Sequence, residues 1–390
     1  MRWDHLRLDE GLDGPPDGDQ AGPGGGAAGS AEPGGPLTLF ERGAVTRTFD
    51  TPGFRGMTFY EVQAKSIVNR VPEASRVPFR WTINPYRGCQ HACRYCFARK
   101  THSYLDLDTG QDFNSKVVVK VNAPELLRKT LASPRWQGEH IAMGTNVDCY
   151  QRAEGRYRLM PGIIAALRDA ANPFSILTKG TLILRDLELL TEAAEVTEVG
   201  LNVSAGFVDK ELWRSIEPGT PGPGRRLEVC ATLTGAGLRC GVLMGPIVPF
   251  LSDWPDQLEA TVRQIAEAGA ASVTPIVLHL RPGAREWFFH WLQEHHPGLV
   301  PRYRAFYRGG AYAPKDYQAR IADQVRELAQ RYGVGAASPA ATRAVARGSQ
   351  AAAQKAADRM AGARRAPGQR SARPADEAAG TAGPLQLSLL

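Results

Sequence analysis

The chain has 390 residues, 43% of them hydrophobic, and a formal net charge of +7; that is room for two ordinary domains, or for one α/β barrel with extensions. No apolar run approaches the ~20 residues of a membrane span, and the N-terminus, MRWDHLRLDEGLDGPPDGD, is acidic and lacks the apolar core of a secretory signal, so a cytoplasmic location is expected. Six cysteines, three of them in one loop, suit a reducing compartment better than a disulfide scaffold.

Charge is unevenly spread. Residues 1–36 carry seven acidic and two basic side chains, a net −5; residues 335–390 carry eight basic and three acidic, a net +5; residues 37–334 therefore hold +7. A basic core suits a polyanionic partner such as nucleic acid. A GC-rich genome, which raises Arg usage by itself, gives the same balance.

In chain order, residues 1–36 form an acidic segment that is Gly/Pro/Ala-rich from residue 14 and is expected to be disordered. A pre-barrel segment spans 37–77. Beyond it, apolar β-rich runs alternate with amphipathic helical segments, the pattern of βα units around a parallel sheet. Strands are predicted at PFRWTIN (78–84), HIAMGTN (140–146), PFSILTK (173–179), VTEVGLNVSA (196–205), RCGVLMGPIVP (239–249) and SVTPIVLHL (272–280). Helices are predicted near 160–171 and at 186–195, 224–236 and 254–268. Between the first two strands, KVVVKV adds an extended stretch, and Asn122 is placed as the cap of a helix with Pro124 and Glu125 in its first turn. Six strand–helix units fall short of the eight that close a barrel. The core, 78–285, is followed by a helical extension, 286–334, which holds REWFFHWLQEHHP and a helix from Pro314 to Tyr332. A basic tail, 335–390, is expected to be disordered.

The run CQHACRYC places Cys89, Cys93 and Cys96 in the spacing C-x3-C-x2-C. Three thiolates this close can hold three irons of a [4Fe-4S] cube and leave the fourth iron without a protein ligand. That opening is what an incoming small molecule needs to reach the metal. A zinc site normally takes a fourth nearby Cys or His; His91 lies inside the loop, but no second C-x2-C pair is present.

The spacing, with Tyr95 before and Phe97 after the last cysteine, resembles the radical S-adenosylmethionine (SAM) superfamily. There SAM chelates the open iron, and an electron passed into its sulfonium releases a 5'-deoxyadenosyl radical. NPYRGCQHACRYCFAR and the strand-end strings GTNVDCYQRAEGRYRLMPGI, SILTKGTLILRDLELL, EPGTPGPGRRLE and GPIVPFLSD extend the resemblance over about residues 37–334. They are similar to the branch related to spore photoproduct lyase, and more closely to an actinobacterial subgroup of it. The resemblance implies a partial (β/α)6 barrel, a [4Fe-4S] cluster on Cys89, Cys93 and Cys96, SAM, and a one-electron donor of flavodoxin or ferredoxin type. It also implies SAM contacts: Asp148 for the amino group, Lys179 for the carboxylate, where cation meets anion, and Ser204 for the ribose or carboxylate. Read without it, Asp148 is an ordinary turn or N-cap residue and Lys179 a solvated lysine.

Departures from the pattern carry information too. Related sequences usually read TDPYQ where this chain has Val147-Asp148-Cys149-Tyr150-Gln151, so Cys149 stands in the proline's place. The lyase's hydrogen-atom donor is a strand-two cysteine that aligns near Gly144 here. With it missing, Cys149 and Tyr150 are the candidate donors, against a reading of Cys149 as a buried, inert side chain. Cys230 and Cys240 are expected in packing. After the sixth strand, HLRPGAREWFFHWLQEHHP carries cations and rings able to grip a base and its phosphate, with His279 and Arg281 at the strand end. Trp287, Phe288 and Trp291, by contrast, have the spacing of a buried helix face.

The chain ends PLQLSLL. Gln386, Leu387, Leu389 and Leu390 resemble the short peptides by which bacterial polymerases and repair proteins dock on the DNA sliding clamp, and PLTLF at 36–40 resembles them without the glutamine. A peptide at the tip of a basic linker is a sensible docking device. The sequence points to a radical SAM enzyme, with chemistry on a nucleic acid base as the first reaction class. Modification of RNA, a peptide or a small metabolite is the second, and a non-catalytic clamp-bound iron–sulfur protein the third.

Overall fold

The computed structural model describes residues 43–335 except 73, 74 and 76. Strands β1 (Val45–Arg47), β2 (Thr58–Val62) and β3 (Val68–Arg70) precede β4 (Trp81–Ile83). After β5 (Tyr86–Arg87) comes the cysteine loop, which a 3-10 helix (Phe97–Leu105) and α1 (Gln111–Ser115) link to β6 (Lys116–Lys120) and α2 (Ala123–Leu131). The chain continues through β7 (Ile141–Met143), α3 (Glu154–Tyr157), α4 (Leu159–Asp169), β8 (Phe174–Thr178) and α5 (Leu187–Val196). Next come β9 (Val199–Ser204), α6 (Lys210–Ile216), α7 (Pro223–Gly235), β10 (Cys240–Ile247), α8 (Pro255–Glu267) and β11 (Ser272–Val277). Three helices, α9 (Ala284–His295), α10 (Val300–Phe306) and α11 (Lys315–Arg331), follow.

The main sheet runs β11-β10-β9-β8-β7-β4-β3. Its neighbours are parallel except for the β3–β4 pair. Each parallel strand lies beside the next in sequence, as right-handed strand–helix–strand crossovers arrange them. Because β3 and β11 stand at opposite edges, the six parallel strands make a partial (β/α)6 barrel, as the sequence leads one to expect. Alternation along the strands sorts the two faces. Phe174, Ile176, Leu201, Val203, Val242 and Val273 are buried on one side, each contributing roughly 1.5–3 kcal/mol. Ser175, Leu177, Asn202, Leu243 and Thr274 are half-buried on the other.

One local expectation is corrected, the capping role of Asn122. KVVVKV is extended, as expected, and forms β6; its parallel partner β2 comes from the segment where the sequence predicts no strand. The two belong to a second sheet of order β1-β2-β6-β5. Asn122 makes no side-chain cap to α2. Its Oδ1 accepts from Ala64 N (2.9 Å) and its Nδ2 donates to Ala64 O (3.0 Å), so a long-range bridge to the β2–β3 connection has displaced the local cap. The sequence also misses α6, whose start is fixed by Asp209: one carboxylate oxygen accepts from Glu211 N and Leu212 N, both at 2.8 Å.

Trp287, Phe288 and Trp291 of α9 are buried, as are Cys230 and Cys240. Among the described residues no helix is long and apolar enough to cross a membrane. The segment 1–36, PLTLF at 36–40 and the tail from residue 336 onward, with its terminal peptide, lie outside the described residues.

Candidate active site

Cys89 and Cys93 are buried and Cys96 half-buried. The loop that carries them is fastened from three directions. Cys89 N donates to Phe113 O and Arg94 N to Ile216 O, both at 2.9 Å. Gln151, wholly buried, grips the backbone on either side of Cys89: its Oε1 accepts from Gln90 N and its Nε2 donates to Gly88 O, each at 3.0 Å. Gly219, between α6 and α7, lies so close that a Cβ there would stand 2.0 Å from Gln90 O, and its N donates to His91 O at 3.2 Å. Any side chain at 219 would push the loop away.

Burial raises the Cys89 thiol well above its ordinary value, and Asp148, Cys96 and Cys93 add to that. Burial and the Glu217 carboxylate push Cys93 up to about 12. Thiols so disposed ionise only against a strong positive charge, which a coordinated metal supplies. Among the described residues no three His, Cys, Asp or Glu side chains converge as the ligands of one ion do; a cube offers a separate iron to each thiol and needs no common point. The Gln90 amide, buried within the loop, has no partner for its oxygen or its nitrogen. A buried polar group in that state costs about 1–3 kcal/mol unless something bound there meets it.

The three residues singled out at the strand ends meet beside this loop. Asp148 Oδ1 accepts from Tyr150 N (2.9 Å) and Thr178 Oγ1 (2.7 Å), and its Oδ2 from Lys179 N (2.6 Å). His91 Nδ1 stands 3.4 Å from the same Oδ2. Asp148 thus ties the ends of β7 and β8 to the cysteine loop. Lys179 Nζ donates to Ser204 Oγ at 2.6 Å, and the Ser204 hydroxyl donates in turn to Gly245 O at 3.0 Å. A further anion, Glu217 Oε1, is 3.9 Å from Nζ, too far for a hydrogen bond. Lys179 keeps donors to offer.

Sequence reading misses the groups that hold this lysine. Glu217 and Arg226 form an ion pair, both side chains 1% exposed, and Tyr95, between Cys93 and Cys96, donates its hydroxyl to Glu217. Burial alone would raise the Glu217 carboxyl; Arg226, Lys179 and the Tyr95 bond hold it below its ordinary value instead. Arg226 also donates to Pro221 O (2.7 Å), Thr220 Oγ1 (2.6 Å) and Ser204 O (3.1 Å). Both partners sit in the string EPGTPGPGRRLE, yet nothing in a nine-residue separation announces that they are buried together.

Cys149 and Tyr150 are wholly buried, and the Tyr150 hydroxyl donates to Asp186 Oδ2 at 2.9 Å. Burial, with Asp148 and Glu154 nearby, raises the Cys149 thiol well above its ordinary value. Gly144 has φ +75°, and a Cβ on it would lie 1.8 Å from Leu177 O, so a cysteine cannot stand there without moving β8. At the end of β11, His279 packs between Phe97 (centroids 5.7 Å apart) and Tyr312 (5.6 Å, stacked). Arg281 lies over Phe97 at 5.5 Å and donates to Tyr312 Oη at 3.0 Å.

An uncharacterised protein of Mycobacterium tuberculosis (strain ATCC 25618 / H37Rv) is 50% identical over 298 residues, 76% of this chain and 88% of that one. One from Methanocaldococcus jannaschii is 32% identical over 195 residues, 50% of this chain and 69% of that one. The family model of the Radical SAM superfamily matches residues 83–265, from the end of β4 into α8. The chain belongs to the radical SAM superfamily. A spore photoproduct lyase mutant with bound AdoMet and dinucleoside spore photoproduct shares the fold, with a TM-score of 0.53 at 17% identity over 68% of this chain and 77% of that one. The protein is therefore a radical SAM enzyme, a class that uses a [4Fe-4S] cluster and SAM and needs a reductant. Its loop fits the cluster on donor chemistry: three neighbouring thiols with no fourth ligand among them.

Proposed function

We propose that this radical SAM enzyme acts on a nucleic acid base, in the manner of a repair lyase. The observation that carries the reading is the ring-and-cation patch beside Cys96. Tyr312 stacks on His279, Phe97 packs tilted against the same imidazole, Tyr312 is 56% exposed, and exposed Arg281 spends its charge on a phenol and a ring rather than on a carboxylate. A flat aromatic surface with a cation at its rim suits a base and its phosphate. The +7 charge of residues 37–334 supports the same partner.

When bound, the reduced cluster and SAM supply a one-electron cleavage that yields a carbon radical able to take hydrogen from a substrate. In this proposal Cys89, Cys93 and Cys96 hold the cluster, Lys179 pairs with the SAM carboxylate, and Ser204 keeps the lysine aimed. Asp148 contributes its remaining acceptor capacity to the SAM amino group. For the return of hydrogen, burial keeps the Cys149 thiol as the S–H that a hydrogen-atom donor must be, and Tyr150 has a proton acceptor in place in Asp186. Lys179→Ala is expected to weaken SAM binding ten- to a hundredfold, the loss of a charge-assisted bond worth about 1.5–3 kcal/mol. Equilibrium dialysis checks it; unchanged affinity takes Lys179 out of the site.

The substrate class is tested by fluorescence anisotropy with short single-stranded DNA and RNA. Arg281→Ala combined with Tyr312→Ala should cost tenfold or more in affinity, since one stacked base is worth about 1–3 kcal/mol. If the unaltered protein binds neither strand, a peptide or small metabolite becomes the better substrate.

The proposed clamp contact through Gln386, Leu387, Leu389 and Leu390 rests on sequence alone. A peptide of the last ten residues should bind the purified sliding clamp with about micromolar affinity, and Leu389→Ala with Leu390→Ala should abolish it. Silence at high micromolar concentration ends the idea.

A further inference from the structure

Arg99 is 0% exposed, and it satisfies its guanidinium in an unusual way. Its five N–H groups meet five acceptor contacts: Nε and Nη2 donate to Cys93 O (3.3 and 3.0 Å), Nη1 to Thr109 O (3.2 Å) and Gly110 O (2.8 Å), and Nη2 also to Asn114 Oδ1 (2.8 Å). Every acceptor is neutral. The faces of the guanidinium are covered by the rings of Trp287, 4.6 Å away, and Phe113, 5.1 Å away. Among the described residues no carboxylate pairs with it, and a buried charge without a counter-charge costs several kcal/mol. By contrast, the other wholly buried guanidinium, Arg226, has Glu217.

Burial works against the charge of Arg99 and Arg94 opposes it too, whereas the thiolates of Cys96, Cys93 and Cys89 would favour it. Once three thiolates have bound a cube, their charge outweighs that of the core, and reduction adds one more negative charge. The net charge around a cluster is one of the quantities that set its potential. We propose that Arg99 is the buried counter-cation of the cluster: it lets the protein enclose an anionic group and makes that group easier to reduce. Hydrogen bonds of the same fork to Cys93 O hold the cluster loop in shape, so one residue couples loop geometry to redox poise. The inference rests on the cluster and is independent of the substrate.

The test is a redox titration of the reconstituted enzyme, followed by electron paramagnetic resonance of the reduced cluster. Arg99→Met should load iron less well and move the midpoint to more negative potential, a tenfold or larger loss of reducibility, equivalent to about 59 mV for one electron. Arg99→Lys should stay near the parent potential although it loses the fork. Asn114→Asp keeps the bond to Nη2 and places a carboxylate on the guanidinium; it guards against an Arg99→Met protein that does not fold, and its midpoint should also fall. An unchanged potential in Asn114→Asp, or in a loaded Arg99→Met protein, would overturn the proposal and leave Arg99 as a staple of the loop.

Discussion

Replacing any one of Cys89, Cys93 and Cys96 by alanine is expected to abolish stable cluster binding, and with it all SAM cleavage. Two thiolates cannot hold three irons of a cube, and the other cysteines, Cys149, Cys230 and Cys240, are wholly buried. Anaerobically reconstituted protein should carry about four irons and the brown absorption of a [4Fe-4S] cluster. Each single variant should lose most of the iron, whereas Cys230→Ala and Cys240→Ala should retain it. Stoichiometric zinc in the parent protein, or full iron in a Cys93→Ala protein, would show that the loop does something else.

The second large effect is expected at Arg226. Replacement by methionine leaves Glu217 buried with its main partner gone, and breaking a buried ion pair from one side costs about 3–5 kcal/mol. Glu217 sits between Tyr95 of the cysteine loop and Lys179 of the β8 end. The loss should therefore be felt at the site as well as in the fold. Urea denaturation should give a midpoint well below that of the parent, and SAM should bind more weakly as Lys179 is drawn onto the unpaired carboxylate. A double replacement, Arg226→Met with Glu217→Leu, should recover much of the stability. If Arg226→Met unfolds within about 1 kcal/mol of the parent, the pair is not the keystone its burial indicates.

How much of this was legible beforehand follows from the physics of each signal. The six parallel strands are apolar runs bounded by turn residues, a strong local pattern, and their order follows from crossover handedness. The cysteines announce themselves because their spacing, C-x3-C-x2-C, lies within a single loop. Asp148, Lys179 and Ser204 lie at consecutive strand ends, which a barrel gathers at one rim; the bonds Lys179 N–Asp148 and Lys179 Nζ–Ser204 are the outcome. What the sequence could not give are long-range polar pairings. Gln151 on Gly88 and Gln90, Asn122 on Ala64 and Tyr95 on Glu217 join segments far apart in the chain, and Arg226 meets Glu217 across a nine-residue turn. No periodicity marks them. Arg99 was hidden for a different reason: a charged residue near a loop reads as solvated until its burial is seen.

The most direct test of the whole account is SAM turnover. Reconstituted protein, reduced with dithionite and given SAM, should release 5'-deoxyadenosine, faster when a single-stranded oligonucleotide carrying a reactive base is present. Protein that holds its cluster and binds SAM, yet yields no 5'-deoxyadenosine with or without an oligonucleotide, would contradict it.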